Sequence, residues 1–463
     1  MRSIRLFNTI ILLWFLISFP LFSQVGNLRV GAARIDITPA LDALPAKGYP
    51  RGIRDHIYVR TIVVDNSFTS AAFITVDIDG IGAGLIPKIS SEAGVPEENI
   101  VISPTHTHSG IQLPRGNASD VDPNRLIFAK NFEKSIIESV KLARENLQPA
   151  SVGYSTGSAY LNVNRNAIDP FTRQWTQAPN YDGPSDKTVA VVTYRSLNGE
   201  PIAIFYNYGM HGNSSYMSGI LTGDFPGEAS RYIERFYDNK VVAVYSPSAQ
   251  GDQNPRYLQP MLDIEKIKSD LALSSGRAKN SEEANKMAGF EGAVDDIVNI
   301  DPHLYERQSQ MISALGAFLG EEVLRVIKYT TRYNSEIRIY SCDTTVTCPG
   351  RTRTNFNREG FAATYTDGNQ VNIGLKLLVI GSIAYAVMGG DPFSRIKEQL
   401  MDEAPFNHTI MVVMSNGLGG GYIPTDDAYG MNTFQVLGSR LKPGCAERAI
   451  INGFLNLMDK AWR

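Results

Sequence analysis

Hydrophobic residues follow two alternating patterns along the chain from Val30 onward. Short runs rich in β-branched residues predict strands, and longer stretches with helical periodicity predict helices. The predicted strands are Ala71–Val76, Asn99–Ser103, Val189–Tyr194, Ile202–Tyr208, Val241–Ser246, Leu375–Ile380, Ile383–Met388 and Thr409–Met414. The predicted helices are Arg125–Glu145, Gly227–Tyr237, Leu304–Tyr329, Phe393–Glu403 and Ala446–Trp462. Strands interleaved with helices favour a layered α/β fold over a β-sandwich or a helix bundle.

The pattern does not divide the chain into several domains. A length of 463 residues would allow about three domains of roughly 150 residues each. No internal repeat and no linker rich in proline or serine interrupts the alternation of strands and helices. We therefore predict one large domain over residues 25–463.

The N-terminal segment has the pattern of a secretory signal peptide. Arg2 and Arg5 precede a nearly continuous apolar run, Ile10–Phe22, of 13 positions. A membrane-spanning helix needs about 20 apolar residues, so this run is too short to serve as an anchor. We predict a signal peptide over residues 1–24, an exported (periplasmic or secreted) mature protein and no transmembrane anchor.

Composition and charge exclude two other classes of protein. Hydrophobic residues make up 43% and charged residues 20%, which excludes a largely disordered chain. The formal net charge is −3 at pH 7, so the chain lacks the basic character of a nucleic-acid-binding protein.

The three cysteines allow one disulfide, which an exported protein would retain. Cys342 and Cys348 flank the short segment 343–347, and this spacing predicts a disulfide across a hairpin that leaves Cys445 unpaired. Three free, buried thiols are the alternative. The sequence contains no Cys-x-x-Cys pair, which excludes a cysteine-based zinc centre or a thioredoxin-type centre.

Five polar clusters each follow directly on an apolar run. They are Thr105–Gly110, Gly209–Gly212, Gln250–Pro255, Gly389–Pro392 and Ser415–Tyr422. In α/β folds, functional sites assemble where loops leave the carboxyl ends of strands. We therefore predict that the five clusters form one shared site.

Two of these clusters contain histidines in a pattern suited to metal binding. His106 and His108 are two positions apart, so in an extended segment both imidazoles face the same side. His211 follows another strand, and zinc in catalytic sites favours histidine nitrogen with carboxylate oxygen and one position open for water. We predict a zinc site, with solvated or core histidines as the alternative. The remaining histidines are assigned to surface or capping positions: His56, His303 and His408.

Asp391 is the best candidate for the carboxylate ligand. It lies in Gly-Gly-Asp-Pro after an apolar strand, where a tight turn would project its side chain. The alternative is an Asx-turn, which aspartate before proline often forms. Asp252 has the same two interpretations.

The ordered set of motifs resembles the neutral, non-lysosomal ceramidases, specifically their N-terminal catalytic domain. The most specific match is Thr105–Gly110. The other matches follow in the same order: Gly52–Asp55 with Tyr58 and Arg60, Val76-Asp77, Asn164-Arg165, Asp186–Thr188, Gly212, Thr222–Asp224, Gly251-Asp252 and Gly421-Tyr422. The resemblance implies a single large catalytic domain of layered, mixed β-sheets with flanking helices.

The resemblance also implies a role for each matching residue. It implies a zinc ion held by four side chains: His106, His211, Asp391 and Tyr422. It places two catalytic residues at the scissile carbonyl: His108 and Arg165. It assigns substrate binding to three consecutive residues: Asp252, Gln253 and Asn254.

Three positions depart from the family pattern. Asn254 stands where the family's Gly-Asp-x-Ser-Pro motif has a serine, Asp391 replaces the usual glutamate ligand, and Phe434 replaces a tyrosine. The chain also ends too soon after this region to include the family's C-terminal immunoglobulin-like domain. These departures indicate a ceramidase-like branch and not a standard ceramidase. The metal site is kept, and the identity of the substrate is left open.

The sequence therefore predicts an exported zinc amidohydrolase that cleaves the N-acyl amide of ceramide or a related sphingolipid, presented at a membrane or micelle surface. One alternative is a zinc hydrolase of another N-acyl or ester substrate. The other is a non-catalytic binding protein that retains the fold.

Overall fold

The computed structural model describes residues 24–45, 50, 52–114, 121–215, 219–258, 270–279, 283, 302–355 and 359–462. The signal peptide predicted for residues 1–24 lies outside the described residues, except for Gln24. None of the described helices is long and apolar enough to cross a membrane.

Eight strands form the larger of two mixed sheets. In spatial order they are β13 (Val242–Pro247), β11 (Pro201–Tyr208), β10 (Thr188–Ser196), β7 (Gln148–Ser158), β2 (Arg29–Asp36), β4 (Tyr58–Asp65), β5 (Ser70–Val76) and β6 (Ile100–Pro104). Only two residue pairs join β2 to β7, and β13 at one end of the order also contacts β4 and β5. The sheet therefore folds over at the β2–β7 junction and brings its two ends together.

Five strands form the second sheet. In spatial order they are β1 (Val25–Asn27), β15 (Glu336–Arg353), β16 (Tyr365–Ile380), β17 (Ile383–Met388) and β19 (His408–Val412). Shorter strands pair outside the two sheets: β3 (Gly52–Ile53) with β12 (Ile220–Leu221), β8 (Asn162–Ile168) with β9 (Trp175–Asn180) and β14 (Gln253–Pro255), and β18 (Asp391–Pro392) with β20 (Tyr422–Ile423).

Six of the described α-helices lie on the outer faces of the sheets: α1 (Ile86–Ala93), α2 (Pro123–Glu145), α3 (Asp224–Phe236), α4 (Pro302–Tyr329), α5 (Ser394–Glu403) and α7 (Ala446–Trp462). A shorter helix, α6 (Phe434–Gly438), contacts β20. Helices α1 to α4 share apolar clusters with the larger sheet, and α5 and α7 share one with the smaller sheet.

The two sheets pack on each other through a common apolar core. Phe73 and Phe205 of the larger sheet contact Tyr385 of the smaller one, with ring centroids 4.6 to 5.4 Å apart. Helix, sheet, sheet and helix thus succeed one another as layers, which confirms the predicted single α/β domain of mixed sheets with flanking helices. The clusters of buried apolar side chains extend through all of these layers.

The predicted pairing of Cys342 with Cys348 is wrong. Residues 343–347 do not form a turn but continue strand β15, where six residues span about 20 Å. Cys348 instead forms a disulfide with Cys445, just before α7, and Cys342 is a free, half-buried thiol. The disulfide joins the hairpin β15–β16 to the C-terminal helix.

Candidate metal centre and active site

The five polar clusters predicted to share a site do meet in space. Thr107 forms a backbone bridge with Gly212, and the His108 N–H donates to the Gly212 carbonyl at 2.7 Å. The Gly251 N–H donates to the carbonyl of Pro392, and the Asp391 N–H donates to that of Gly421. Backbone hydrogen bonds therefore hold the loops together before any side chain is considered.

His106 and His108 converge by a different route from the one expected. Both follow the end of β6 rather than lying in a strand, and His106 has a left-handed backbone with φ of 59°. A β-carbon makes that conformation unfavourable, and such residues cluster at functional sites. The turn brings the Nε2 atoms of the two rings to 3.3 Å from each other.

Backbone carbonyl groups fix the orientation of two imidazole rings. Nδ1 of His106 lies 2.7 Å from the carbonyl oxygen of Asp79. Nδ1 of His211 lies 2.9 Å from the carbonyl oxygen of Gln250. A carbonyl oxygen only accepts hydrogen bonds, so each Nδ1 carries a proton, and in the neutral tautomer with this proton the lone pair available to a ligand is on Nε2. This arrangement is typical of metal-binding histidines, whose other nitrogen donates to a carbonyl or carboxylate.

Asp391 supplies a buried carboxylate next to this pair. It is 3% exposed, and its Oδ2 lies 3.3 Å from Nε2 of His211. Within the described part of the chain, His211 Nε2 and both carboxylate oxygens of Asp391 have no hydrogen-bond partner. Burial raises the pKa of Asp391 to about 6, because few charges or donors of the protein stabilise the anion. Three buried polar atoms thus face one another without a partner, which is costly unless a ligand satisfies them.

Tyr422 and Arg165 form the next part of the site. Tyr422 pairs with Asp391 through β18 and β20, and its ring stacks 6.4 Å from that of His211. Nη2 of Arg165 donates to the Tyr422 hydroxyl at 3.2 Å and to the Gly251 carbonyl at 2.6 Å. A cation and a phenol are therefore held side by side at the edge of the histidine cluster.

His108 is a neutral histidine in this setting. Burial lowers the pKa of His108 to about 3, and the neighbouring His106, His211 and Arg165 lower it further while Asp79 opposes them. The His108 side chain is 30% exposed, so the ring borders solvent. The side chains of His106, His108 and His211 offer nitrogen atoms within 4.8 Å of one another.

The predicted substrate-binding residues occupy the β13–β14 loop and strand β14 beside Arg165. The carboxylate of Asp252 accepts from the Ser394 N–H at 2.8 Å and from Asn164 Nδ2 at 2.9 Å. Gln253 donates to the Pro184 carbonyl at 2.9 Å and is fully buried. Oδ1 of Asn254 accepts from Nη1 of Arg165 at 3.2 Å, so of the three it is Asn254 that touches a predicted catalytic side chain.

Asp79 is a polar residue of the site that the sequence reasoning missed. Its Oδ1 lies 3.5 Å from Nδ1 of His106 and 4.0 Å from Nε2 of His108, and its side chain is 32% exposed. The signal was present in the sequence, because Asp77-Ile78-Asp79-Gly80 follows the apolar strand β5 in the same way as the other five clusters.

The histidines assigned to other roles lie outside the cluster where they are described. His56 is exposed and lies 2.5 Å from Asp36, and His408 packs on the ring of Tyr154 at 4.5 Å. The side chain of His303 lies outside the described residues. Phe434, expected near the site, packs edge-on against Tyr422 at 5.7 Å and is 49% exposed.

The donor set fits a divalent metal ion. Imidazole nitrogen and carboxylate oxygen are ligands that zinc accepts. A cation here would satisfy Nε2 of His211 and both carboxylate oxygens of Asp391, the three buried atoms without a hydrogen-bond partner. The adjacent phenol of Tyr422 offers a fourth oxygen.

The amino-acid sequence is similar to those of neutral ceramidases. The sequence model of the family described as neutral/alkaline non-lysosomal ceramidase, N-terminal, matches residues 28–431. The neutral ceramidase of Drosophila melanogaster is 26% identical over 277 residues, 54% of this chain and 39% of that one. The neutral ceramidase of Pseudomonas aeruginosa is 23% identical over 274 residues, 54% of this chain and 40% of that one. The aligned part thus spans about two-fifths of the length of these relatives.

The fold is shared with a solved structure. The crystal structure of neutral ceramidase from Pseudomonas aeruginosa superposes with a TM-score of 0.65. The superposition covers 94% of this chain and 75% of that one, at 14% sequence identity. At this identity the likeness establishes the fold alone.

Proposed function

The chain belongs to the neutral/alkaline non-lysosomal ceramidase family, and on that premise we propose that it is an exported zinc amidohydrolase. It cleaves the N-acyl amide of ceramide or a related sphingolipid to a fatty acid and a sphingoid base. The observation that carries the proposal is the unpartnered Asp391 carboxylate facing the free Nε2 of His211, beside Arg165 and Tyr422.

Four side chains would hold the zinc ion: His106, His211, Asp391 and Tyr422. Bound zinc supplies a Lewis acid that polarises the substrate carbonyl and lowers the pKa of water towards about 7. The carbonyl groups of Asp79 and Gln250 keep both imidazoles in the tautomer that presents Nε2. Loss of a hydrogen bond that orients a metal-binding side chain typically lowers metal affinity or activity by about 10–100-fold.

Arg165 orients the acyl oxygen of the substrate. The Gly251 carbonyl and Asn254 hold its guanidinium in place, so the cation is fixed before substrate binds. A preorganised donor at an oxyanion is worth roughly 3 kcal/mol of transition-state stabilisation. His108 is neutral and borders solvent, so its imidazole stabilises the oxyanion or carries a proton between the substrate and solvent.

The lipid amide reaches the site from a membrane or micelle surface. Phe171 is 92% exposed in the turn between β8 and β9, and β8 also carries Arg165. An exposed aromatic side chain there would enter the apolar boundary of a lipid aggregate. The Cys348–Cys445 disulfide supports an oxidising location outside the cytoplasm.

A second candidate function is hydrolysis of another N-acyl or ester substrate. It is favoured by Asn254, whose side chain is engaged with Arg165 and Asn213 at the position where the resemblance expects a serine, and by Phe434, which has no hydroxyl beside Tyr422. A third is a binding protein that retains the fold without turnover.

Metal analysis combined with hydrolysis of a fluorescent ceramide tests the proposal. We expect one zinc per chain, release of labelled fatty acid, loss of turnover with chelator and recovery with zinc. Turnover of other N-acyl or ester substrates but not ceramide would favour the second candidate. One equivalent of zinc with no turnover on any acyl substrate would favour the third, and full activity without metal would overturn zinc dependence.

A further inference from the structure

An apolar cleft of about 540 Å³ opens beside the histidine cluster. It lies between the segment 79–85, the segment 111–114 and helix α2. Its apolar lining comes from Ile81, Leu85, Ile111, Leu113, Ala129 and Phe132. Volumes of 300–1,000 Å³ with apolar walls and a few polar groups are typical of ligand sites.

One wall of the cleft is bare backbone. A β-carbon added at Gly80, Gly82 or Gly84 would meet no atom within 4 Å. The wall thus leaves room where side chains would otherwise project. The exposed ion pair of Lys88 and Glu133, 2.7 Å long, also borders the cleft, so its charged part faces solvent.

Asp79 connects the cleft to the proposed reaction centre. It lines the cleft, and its Oδ1 is also 4.0 Å from Nε2 of His108. The backbone carbonyl of the same residue holds the ring of His106. Asp79 thus borders both the histidines and the cleft, so the polar part of a molecule at the histidines would lie next to the cleft.

The two sides of the site differ in hydrogen-bonding polarity. Arg165 and Tyr422 present donors, which suit a carbonyl oxygen and the negative charge that develops on it. Asp79 presents a carboxylate, which accepts hydrogen bonds and repels an oxyanion. In a lipid amide with a sphingoid base, hydroxyl groups and the nitrogen supply donors on the amine half, whereas the acyl half offers its carbonyl oxygen.

We propose that the cleft binds the hydrocarbon chain of the amine half of the substrate and that Asp79 accepts a hydrogen bond from the 3-hydroxyl group of that half. This assignment rests on the proposed function and specifies how its substrate is oriented. It makes Asp79 a specificity residue for hydroxylated long-chain amines, and it directs the acyl chain away from the cleft.

Binding of free sphingoid bases to the zinc-loaded protein tests the cleft without requiring turnover. Calorimetry with bases of 8 to 14 carbons should show tighter binding with length, by up to about fourfold for each methylene that enters the cleft. Ala129→Phe, which narrows the cleft from α2, should abolish this dependence on length. Lys134→Phe places the same side chain on the exposed face of α2, outside the cleft lining, and should keep it.

Asp79→Ala tests the polar contact. Its backbone carbonyl is retained, so zinc content should stay at one equivalent. We expect the variant to bind the 3-hydroxylated base at least about 10-fold more weakly and the 3-deoxy base unchanged, because a hydrogen bond to a charged group is lost. Equal loss for both bases would overturn the contact.

Turnover separates this proposal from the proposed function. If ceramide is not hydrolysed but the length dependence is present and vanishes in Ala129→Phe, the proposed function fails and the cleft assignment stands. If ceramide is hydrolysed but binding ignores base length, or if Ala129→Phe alters the preference for acyl length instead, the cleft assignment is wrong.

Discussion

Two adjacent parts of the site treat buried polar atoms in opposite ways. Around Asp391, a carboxylate and the Nε2 of His211 are buried without a protein partner. In the neighbouring loop, the carboxylate of Asp252 is as deeply buried but accepts hydrogen bonds from Ser394 and Asn164. Since an unsatisfied buried polar atom is costly, the first part is built for a ligand and the second for holding the loops in place.

The largest effect is expected from His211→Ala, which removes the Nε2 atom that faces the Asp391 carboxylate. Loss of a ligand should abolish stoichiometric zinc binding and lower kcat/KM by on the order of 10³-fold or more, because the metal supplies several kcal/mol of transition-state stabilisation. Metal analysis and hydrolysis of fluorescent ceramide provide the measurement. His56→Ala, which changes an exposed histidine outside the site, should leave both unchanged. Retained zinc in His211→Ala would refute the assigned ligand set.

Asp252→Ala should affect stability more than metal binding. The substitution leaves the Ser394 N–H and Asn164 Nδ2 without their acceptor, so we expect the free energy of unfolding to fall by roughly 2–4 kcal/mol. Urea unfolding measures this loss, and zinc content in the folded protein should remain at one equivalent. If zinc were lost while stability was unchanged, the contrast between the two parts of the site would be wrong.

The same residue predicts a pH dependence. Burial raises the pKa of Asp252 from its ordinary value of 3.8 to about 6 in the folded state. A raised folded pKa gives stability that is fully present below the unfolded value and lost as pH rises through the folded one. Relative to non-titrating Asp252→Asn, the wild type should therefore lose on the order of 1–3 kcal/mol between pH 4 and 7.

Urea unfolding of both metal-free proteins at a series of pH values measures this difference. Asp391 then titrates equally in the two proteins and cancels. A difference that does not change with pH would show that the donors around Asp252 keep it ionised throughout.

Asn254→Ser introduces the residue that the family motif has at this position. It tests the contact between the loop of Asp252 and Arg165. The shorter side chain cannot reach both Arg165 and Asn213, so Arg165 loses one acceptor. We expect kcat/KM for ceramide to fall by about 3–10-fold, corresponding to one hydrogen bond, with zinc content unchanged. A rise in kcat/KM would instead make the serine hydroxyl a determinant of ceramide recognition.

The smallest effect is expected from Phe171→Asp, because Phe171 is exposed and lies outside the surroundings of both Asp391 and Asp252. Activity on ceramide in vesicles should fall by about threefold, whereas activity on a soluble short-chain amide should not change. Leu197→Asp alters another exposed apolar side chain and should have no effect on either substrate. Equal loss on both substrates would place Phe171 in the catalytic machinery instead of at a lipid surface.

Elements with an uninterrupted apolar pattern could be read from the sequence. Strand β17 and helix α7 have the predicted bounds. The strand is buried throughout and the helix on one face, so the apolar residues of each form a continuous or periodic pattern in the sequence. Strand β15 and the first half of β16 are largely half-exposed or exposed and rich in polar residues, so they have no such signal. Strand β8 was missed because its polar residues, among them Asn164 and Arg165, are buried by hydrogen bonding and not by apolar packing.

The site was predictable to the extent that its residues follow strands. His106, His211 and Asp391 come from that rule, whereas Tyr422 came only from family resemblance, because a tyrosine after a glycine-rich loop has no distinctive spacing. The disulfide was mispredicted for a related reason. Cys348 and Cys445 are 97 residues apart, and only the tertiary fold places their Cα atoms 5.8 Å from each other.

The candidate ligands belong to segments that are far apart in the chain. His106 and His211 follow strands of the larger sheet, whereas Asp391 and Tyr422 follow strands of the smaller one. Contacts between distant segments form slowly, because a long loop must close before they stabilise anything. The ligand set is therefore complete only when both sheets have docked. A metal ion that needs all four ligands would therefore bind late in folding, after the two sheets have packed together.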